Sequence, residues 1–167
     1  MTSLQNISHE QDIKQLANIA HTIWNEYFPS IIGHAQVDYM VEKFQSQSAI
    51  TKQLQQGHEY FFICDGDQRV GYIGLVANSN KDALQISKFY LLKDIRGKGH
   101  GKAIIDQIRD MAKTKGFSQL YLTVNKYNEA AISVYKKLGF VISGDMVIDI
   151  EGGFVMDDYE MNMPVTG

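Results

Sequence analysis

The chain has 167 residues, of which 44% are hydrophobic and 21% are charged, and its formal net charge is −3. This length is enough for a substantial hydrophobic core, and we expect residues 1–167 to form a single domain. The acidic balance argues against nucleic acid as a partner, and no apolar run approaches the ~20 residues that a membrane-spanning helix needs. The single cysteine, Cys64, lies in an apolar run and cannot form an internal disulfide, so we expect a reducing, cytoplasmic location.

The N-terminal half of the sequence predicts one strand, three helices and a hairpin. Residues 4–7 are short and apolar, which favours a strand, and Ser8-His9-Glu10-Gln11 fits a capping box that would begin a helix. Apolar residues recur at helical spacing from 13 to 27, and Pro29 stands at or just after the end of that helix. The other elements predicted here are helices around 37–44 and 48–56 and paired strands at 59–64 and 69–77.

The C-terminal half alternates strands and helices before it closes with strands. Residues 83–91 predict a strand, and a one-sided apolar helix around 104–112 follows and stops at Gly116. Asn128 is a suitable N-cap for a helix that runs through Leu138, and Gly139 is a suitable C-terminal glycine. The remaining predicted strands are 119–124, 140–142, 146–150 and 154–163.

The element order predicts the fold class. Strands joined by short turns pair antiparallel, whereas the strand–helix–strand unit at 83–124 needs a parallel neighbour and a right-handed crossover. We therefore predict an α/β (α+β) fold with a mixed sheet and helices on both of its faces. Only one clear β-α-β unit exists, which excludes a doubly wound nucleotide-binding fold.

A glycine-rich segment, residues 96–102, separates strand 83–91 from the following helix, and we call it the glycine loop. Its sequence, RGKGHGK, has glycine at every second position and basic residues among them. Glycine lets consecutive N–H groups turn toward one point, and a helix N-terminus adds unpaired N–H groups and the positive end of its dipole. This combination favours a phosphate or pyrophosphate site. A plain turn between a strand and a helix is the alternative.

Two distant motifs together resemble a known family. Arg96-Gly97-Lys98-Gly99-His100-Gly101 fits Arg/Gln-x-x-Gly-x-Gly/Ala, and Asn128-Glu129-Ala130-Ala131 with Tyr135-Lys136-Lys137-Leu138-Gly139-Phe140 follows about thirty residues later. The pair resembles the GNAT superfamily of acyl-CoA-dependent N-acetyltransferases. The resemblance implies a mostly antiparallel sheet of about seven strands that opens in a V between the fourth and fifth.

The resemblance also implies acetyl-CoA as co-substrate. In this family the loop amides hold the pyrophosphate, and the strand before the loop pairs with the pantetheine arm. Asn128 resembles the residue that contacts this arm, although a plain N-cap is an equally good reading. The cofactor-binding residues so implied are Phe89, Tyr90, Leu91, Arg96, Gly97, Lys98, Gly99, His100, Gly101, Lys102 and Asn128, with the His100 side chain expected to face solvent.

The implied reaction is attack of a primary amine on a thioester. Tyr135 stands where the family has the tyrosine that protonates the thiolate, and a core tyrosine is the alternative. A backbone N–H near Leu91 is the expected oxyanion donor. Some relatives place a glutamate base on the strand before the loop, but residues 83–91 contain no carboxylate. Other carboxylates that could serve, which the sequence does not rank, are Glu26, Glu59, Asp149, Asp157 and Asp158.

In this family the acceptor lies between the N-terminal helices and the last hairpin. Aromatic faces and carboxylates together suit a cationic amine, although core aromatics and surface acids are the alternative. The acceptor residues we predict are Trp24, Glu26, Tyr27, Asp157 and Asp158. A polyamine, an aminoglycoside and a peptide amine all stay open, as does a homodimer.

Three rival interpretations are weaker. A GNAT fold could bind acyl-CoA as a sensor without turnover. A P-loop that binds a nucleotide phosphate needs a Ser or Thr hydroxyl after its lysine to bind magnesium, but Ala103 follows Lys102. Nucleic-acid binding by the loop lysines conflicts with the interleaved acids. The five histidines show no metal-ligand spacing, so we predict no metal.

Overall fold

The computed structural model describes residues 1–166. Its chain divides into two compact units: residues 1–76 with 88–104 form the first, and residues 77–87 with the chain from 105 onward form the second. The expectation of a single domain over residues 1–167 stays a prediction.

Seven strands form one mixed sheet in the order β1-β2-β3-β4-β5-β7-β6. The sheet is mostly antiparallel and β4 pairs with β5 in parallel, so the predicted fold class is confirmed. The strands are β1 Thr2–Asn6, β2 Glu59–Asp65, β3 Gln68–Asn78, β4 Ala83–Leu91, β5 Gln119–Asn125, β6 Val141–Asp149 and β7 Val155–Pro164.

The first unit contains most of the helices. The predicted first helix is present but begins differently, because its N-cap is His9 and no side chain caps it, so the predicted capping box does not form. Val41–Gln45 continues the third helix as a π-helical turn. The α-helices of this unit are α1 Glu10–Tyr27, α2 Pro29–Ile32, α3 His34–Met40 and α4 Gln47–Gln55; α5, His100–Thr114, begins here and continues into the second unit.

Large aromatic side chains hold the first unit together. Tyr60, Phe62 and Tyr72 are fully buried, and burying each contributes on the order of 2–3 kcal/mol. The Arg69 guanidinium lies over the Phe62 ring, 4.1 Å from its centroid, and its Nη2 is 3.1 Å from an Asp12 carboxylate oxygen. This ion pair attaches α1 to the sheet.

In the second unit, β5 lies between a parallel and an antiparallel neighbour. The ladder between β4 and β5 covers only Ala83–Gln85 and Gln119–Tyr121, although β5 continues to Asn125. The predicted opening between the fourth and fifth strands is thereby confirmed. Beyond this point the backbone groups on that edge of β5 have no ladder partner from β4.

The closing strands of the second unit differ from the prediction. We predicted separate strands at 140–142 and 146–150, whereas β6 runs continuously from Val141 to Asp149. Its register against β7 shifts between Ile142 and Gly144, which is the break that the sequence pattern suggested. The helix of this unit, α6, is Glu129–Leu138.

Candidate active site

The glycine loop has the backbone conformation that its sequence predicts. Gly97 and Gly99 have φ of +78° and +85°, a region that other residues rarely adopt. Helix α5 begins directly afterwards at His100, and its first hydrogen bond runs from the Ala103 N–H to the Gly99 carbonyl at 3.3 Å. The N–H groups that precede this bond lie in the first turn of the helix. The loop therefore fits a pyrophosphate.

Gly101 differs from the other two glycines of the loop. It lies inside the first turn of α5, and its φ is not positive. A Cβ built on it would lie 4.0 Å from the Phe89 ring, which is ordinary contact distance. Its Cβ position therefore faces β4, and a small side chain fits there.

Arg96 holds the junction between β4 and the loop. Its Nε donates a hydrogen bond to the Leu91 carbonyl at 3.0 Å, and its guanidinium lies 4.9 Å from the centroid of the Tyr27 ring. The Leu92 N–H also donates to the Val70 carbonyl at 2.9 Å. These contacts fix the end of the strand from which the loop begins.

The His100 side chain is buried, and the expectation that it faces solvent is wrong. Only 9% of His100 is exposed, and its Nδ1 lies 2.7 Å from the Thr2 hydroxyl. Its Nε2 is 3.8 Å from an Asp65 carboxylate oxygen. The imidazole thus attaches the start of α5 to β1 and β2, so only the backbone of His100 is available to a phosphate.

The C-terminal end of β4 packs tightly in the first unit. A Cβ on Gly71 of β3 would lie 2.2 Å from the Tyr90 carbonyl oxygen, so only glycine fits at that position. The Tyr90 ring contacts Trp24, with 5.5 Å between ring centroids, and Tyr72, with 5.4 Å. Phe89, Tyr90 and Leu91, the predicted pantetheine contacts, therefore lie on a rigid strand end.

The predicted acceptor residues of the first unit have different environments. Trp24 is 3% exposed and stacks on Phe28 at 4.1 Å, so it serves the aromatic core. Tyr27 is half-buried beneath Arg96. Glu26 is exposed and lines an open groove of about 990 Å³. Of the three, only Glu26 presents a charged group to solvent.

Helix α6 and its N-cap position carry two of the predicted site residues of the second unit. The buried Asn128 is its N-cap, and its side-chain oxygen accepts a hydrogen bond from the Ala131 N–H at 3.3 Å. The half-buried Tyr135 meets Phe140 edge-on, with ring centroids 5.6 Å apart. Gly139 ends the helix with φ of +111°, as the sequence predicts.

The connection from β5 to α6 is attached to β7, and we call Asn125–Asn128 with Asp157 and Asp158 the β5–β7 corner. Asn125 pairs with Asp158 across the ladder. The Lys126 N–H donates to the Asp157 carbonyl at 3.0 Å, and the Asn128 N–H donates to the Asn125 carbonyl at 3.0 Å. The corner therefore places two neighbouring carboxylates beside the start of α6.

The two carboxylates of the corner differ in their surroundings. Lys126 Nζ lies 2.9 Å from an Asp157 oxygen and 3.0 Å from an Asp145 oxygen. Asp158 is only 4% exposed, and burial raises its pKa to about 6. A hydrogen bond from Thr123 and the charge of Lys126 lower this pKa, and the charge of Asp157 raises it.

A third carboxylate, Glu160, lies on the same face of the β5–β7 ladder as Asp158. It accepts a hydrogen bond from the Tyr121 hydroxyl at 2.5 Å and lies 3.6 Å from Lys81 Nζ. Burial, and then this hydrogen bond, raise the pKa of Tyr121 above its ordinary value. Glu160 is thus already occupied by a donor and a cation.

The sequence reasoning missed a buried lysine on β4. Lys88 is 7% exposed, and its Nζ donates to the Gln53 side-chain oxygen at 2.8 Å and to the Tyr60 hydroxyl. Burial lowers the pKa of Lys88 to about 7. Burial, followed by the charge of Lys88, also lowers the pKa of His58. The signal available was a lysine in a strand whose neighbours are mostly apolar.

Two kinds of feature are absent from the described residues: a helix that could cross a membrane and a cluster of metal-binding side chains. No helix within residues 1–166 is long and apolar enough to cross a membrane. No group of three or more histidine, cysteine, aspartate or glutamate side chains in the same residues is arranged to hold a metal ion.

Comparison with known proteins defines the class. Residues 17–140 match the Acetyltransferase (GNAT) family. The chain belongs to this family, as the two sequence motifs predicted, and it is an acyltransferase.

Curated relatives include proteins named as N-acetyltransferases. The uncharacterized N-acetyltransferase YjgM of Escherichia coli is 33% identical over 88 residues, about half the length of each chain (52% and 53%). An uncharacterized N-acetyltransferase of Mycobacterium tuberculosis is 26% identical over 151 residues, which cover 90% of this chain and 96% of the relative. The peptidyl-lysine N-acetyltransferase YjaB of Salmonella typhimurium is 25% identical over 150 residues, 89% of this chain and 90% of its own.

Solved structures agree on the fold. The PaiA N-acetyltransferase of Thermoplasma acidophilum, in complex with coenzyme A, superposes with a TM-score of 0.78 at 18% identity, over 98% of this chain and 99% of that one. The spermidine N-acetyltransferase of Vibrio cholerae, in complex with coenzyme A and spermine, gives 0.72 at 18% identity, over 99% and 96%.

Proposed function

We propose that this protein transfers an acetyl group from acetyl-CoA to a primary amine of a small molecule or peptide, by direct attack in a ternary complex. The observation that carries the proposal is the arrangement in which strand β4, the glycine loop and helix α5 follow one another. Gly97 and Gly99 adopt positive φ immediately before a helix N-terminus, as a pyrophosphate site requires. Membership of the GNAT family supports the same ligand.

The chain's own groups divide into those that bind acetyl-CoA and those that assist the reaction. We assign the backbone N–H groups of residues 97–102 to the pyrophosphate, residues 89–91 and Asn128 to the pantetheine arm, and Lys98 to a phosphate. Bound acetyl-CoA supplies an activated thioester carbonyl. A backbone N–H near Leu91 would stabilise the oxyanion, and Arg96 fixes this strand end. Tyr135 would donate a proton to the departing thiolate.

The acceptor is proposed from charge and from relatives. Proteins similar to this chain are named for peptidyl-lysine and for spermidine, and both of these acceptors present a primary alkylamine. Such amines are protonated at neutral pH, since their pKa is near ~10.4. Asp158 and Glu160, two residues apart on β7, place two carboxylates on one face of β5 and β7, which favours a cation.

A thiol-release assay tests the proposal. The purified protein is incubated with acetyl-CoA and either spermidine or a lysine-containing peptide whose N-terminus is blocked, and free coenzyme A is followed by its thiol. We expect amine-dependent release and an acetylated amine by mass spectrometry. Tight binding of acetyl-CoA by calorimetry without release for any amine would instead favour the sensor alternative.

Two further expectations stay predictions beside this proposal. The reaction is expected in the cytoplasm, where the free cysteine stays reduced. The oligomeric state is expected to be a monomer or a homodimer, and analytical ultracentrifugation would distinguish them.

A further inference from the structure

The sequence offered five carboxylates as proton acceptors, and their surroundings now rank them. Glu26 and Asp149 are exposed, Glu59 and Asp157 are half-buried, and Asp158 is buried. A carboxylate that is shielded from water can have the raised pKa that a general base needs. Burial alone therefore separates Asp158 from the other four.

Ion pairing separates Asp158 from the neighbouring carboxylates of β7, of which Glu160 shares its face and Asp157 lies on the opposite face. Lys126 holds Asp157, while Lys81 and the Tyr121 hydroxyl hold Glu160. Asp158 makes no ion pair within residues 1–166, and its stabilising contact is the hydrogen bond from Thr123. A buried carboxylate without a cation destabilises a fold, so its presence calls for a functional reason.

The position of Asp158 is also fixed by its backbone. It pairs with Asn125, the last residue of β5. The Tyr127 N–H donates to the Asn125 side chain at 2.9 Å, and three residues after Asn125 comes Asn128, the N-cap of α6. The β5 edge that loses its β4 partner after Tyr121 leads directly to this corner. Asp158 therefore lies beside the start of the helix that carries Tyr135.

We propose that Asp158 is the proton acceptor for the incoming amine, an inference that rests on the proposed acetyl transfer. The Asp158 carboxylate takes one proton from the alkylammonium, and the freed nitrogen lone pair forms the C–N bond as the C–S bond breaks. The thiolate takes a proton from Tyr135. The second proton lost by nitrogen restores the phenol, and the proton on Asp158 leaves to water.

The charged groups around Asp158 set its expected pH dependence. The charge of Asp157 on β7 disfavours ionisation of Asp158, whereas the Thr123 hydroxyl and the charge of Lys126 favour it. Glu160 of β7 and Tyr121 of β5 also lie on the same face as Asp158. Burial is the largest influence and raises the pKa of Asp158 to about 6. The base form therefore predominates above about pH 6, and activity should fall as pH decreases through this value.

The test compares Asp158→Asn with Asp110→Asn, a change of the same charge at an exposed aspartate of α5. Acetyl-CoA and spermidine, or the blocked lysine peptide, are the probes. Loss of a positioned base costs ~10²–10⁴ in rate, so Asp158→Asn should lower kcat by about that factor and leave KM for acetyl-CoA unchanged. The rise of kcat/KM with an apparent pKa near 6 should disappear in Asp158→Asn. Asp158→Glu should restore part of kcat, and Asp110→Asn should stay within a few-fold of wild type.

Stability measurements distinguish a base from a structural residue. The native pKa of Asp158 lies above that of the unfolded chain, so the carboxylate destabilises the native state above about pH 6. Asp158→Asn should therefore keep or raise Tm at pH 7.5. A lower Tm with kcat within about threefold of wild type, or an unchanged pH profile, would overturn the inference. If the wild type transfers no acetyl group to any amine, the proposed function fails and this inference with it.

Discussion

The glycine loop and the β5–β7 corner would handle charge by different means. The loop presents backbone N–H groups, and its conformation depends on Gly97 and Gly99 at positive φ. The corner presents side chains, and the properties of Asp157 and Asp158 depend on burial and on where Lys126 is placed. Substitutions in the loop should therefore change binding, whereas substitutions of Asp158 and Tyr135 should change the rate of chemistry.

The largest effect expected on the chemical side is that of Tyr135→Phe. Removing the hydroxyl removes the proposed proton donor while the ring keeps its contact with Phe140. A positioned acid contributes ~10²–10⁴ in rate, so kcat should fall by about that factor with little change in KM for acetyl-CoA. The matched control is Tyr127→Phe, since Tyr127 is 69% exposed and should tolerate the change. Full kcat in Tyr135→Phe, with chemistry shown to be rate-limiting, would make Tyr135 a core residue only.

Substitutions in the glycine loop should instead weaken the binding of coenzyme A. Gly99 has φ of +85°, and a β-branched residue there costs roughly 1–2 kcal/mol or shifts the neighbouring amides. We expect Gly99→Val to weaken coenzyme A binding at least about tenfold by calorimetry, because 1.4 kcal/mol corresponds to tenfold. Gly101→Ala is the control, since its Cβ meets only Phe89 at 4.0 Å. Equal affinity of a folded Gly99→Val would refute the loop assignment.

The glycine loop could be predicted because the features that define it lie next to one another in the sequence. Glycine spacing, the preceding apolar run and the following helix are all visible in the sequence, and β4 was predicted with its observed bounds of Ala83 and Leu91. The same local reasoning was wrong for His100, which glycine neighbours made look exposed. Its contact with Thr2 joins residues 98 positions apart, and no local pattern reports such a contact.

The β5–β7 corner could be predicted only in part, because the surroundings of its side chains depend on the register in which β5 and β7 pair. Asn128 and Tyr135 were found through motif spacing, but the five candidate carboxylates looked equivalent. Asp158 differs because β7 pairs with β5 so that it lies opposite Asn125, with Lys126 held by Asp157 and Asp145. Burial and ion pairing of this kind follow from tertiary structure.

A smaller effect in the loop tests its side chains. Lys98 is exposed, and its charge would attract a phosphate without fixing geometry. We expect Lys98→Ala to raise KM for acetyl-CoA by ~3–10-fold with kcat nearly unchanged, and the difference should shrink at high salt. Lys113→Ala, an exposed lysine near the other end of α5, is the control and should match wild type. A large loss of kcat at constant KM would mean that Lys98 acts on the chemical step.

The smallest effect concerns the other buried charge, Lys88 of the first unit. The Lys88 Nζ donates hydrogen bonds to two acceptors, Gln53 and Tyr60, whereas Asp158 has one stabilising hydrogen bond, from Thr123. Burial lowers the pKa of Lys88 from 10.5 to about 7. Between these values the unfolded chain binds more protons than the native chain. The free energy of unfolding should therefore rise with pH in this window, by at most about 1.4 kcal/mol per pH unit, and Lys88 should add no pH dependence below about pH 7.

Urea unfolding of wild type and Lys88→Met between about pH 7.5 and 9 measures this slope. The free energy of unfolding of wild type minus that of Lys88→Met should increase with pH, because methionine has no proton to gain on unfolding. Lys52→Met on α4 is the control: Lys52 is exposed, and its replacement should leave the curve parallel to wild type. Parallel curves for Lys88→Met as well would mean that Lys88 stays charged in the native state. The hydrogen bonds to Gln53 and Tyr60 would then stabilise an ammonium, and burial would not by itself distinguish Lys88 from a surface lysine.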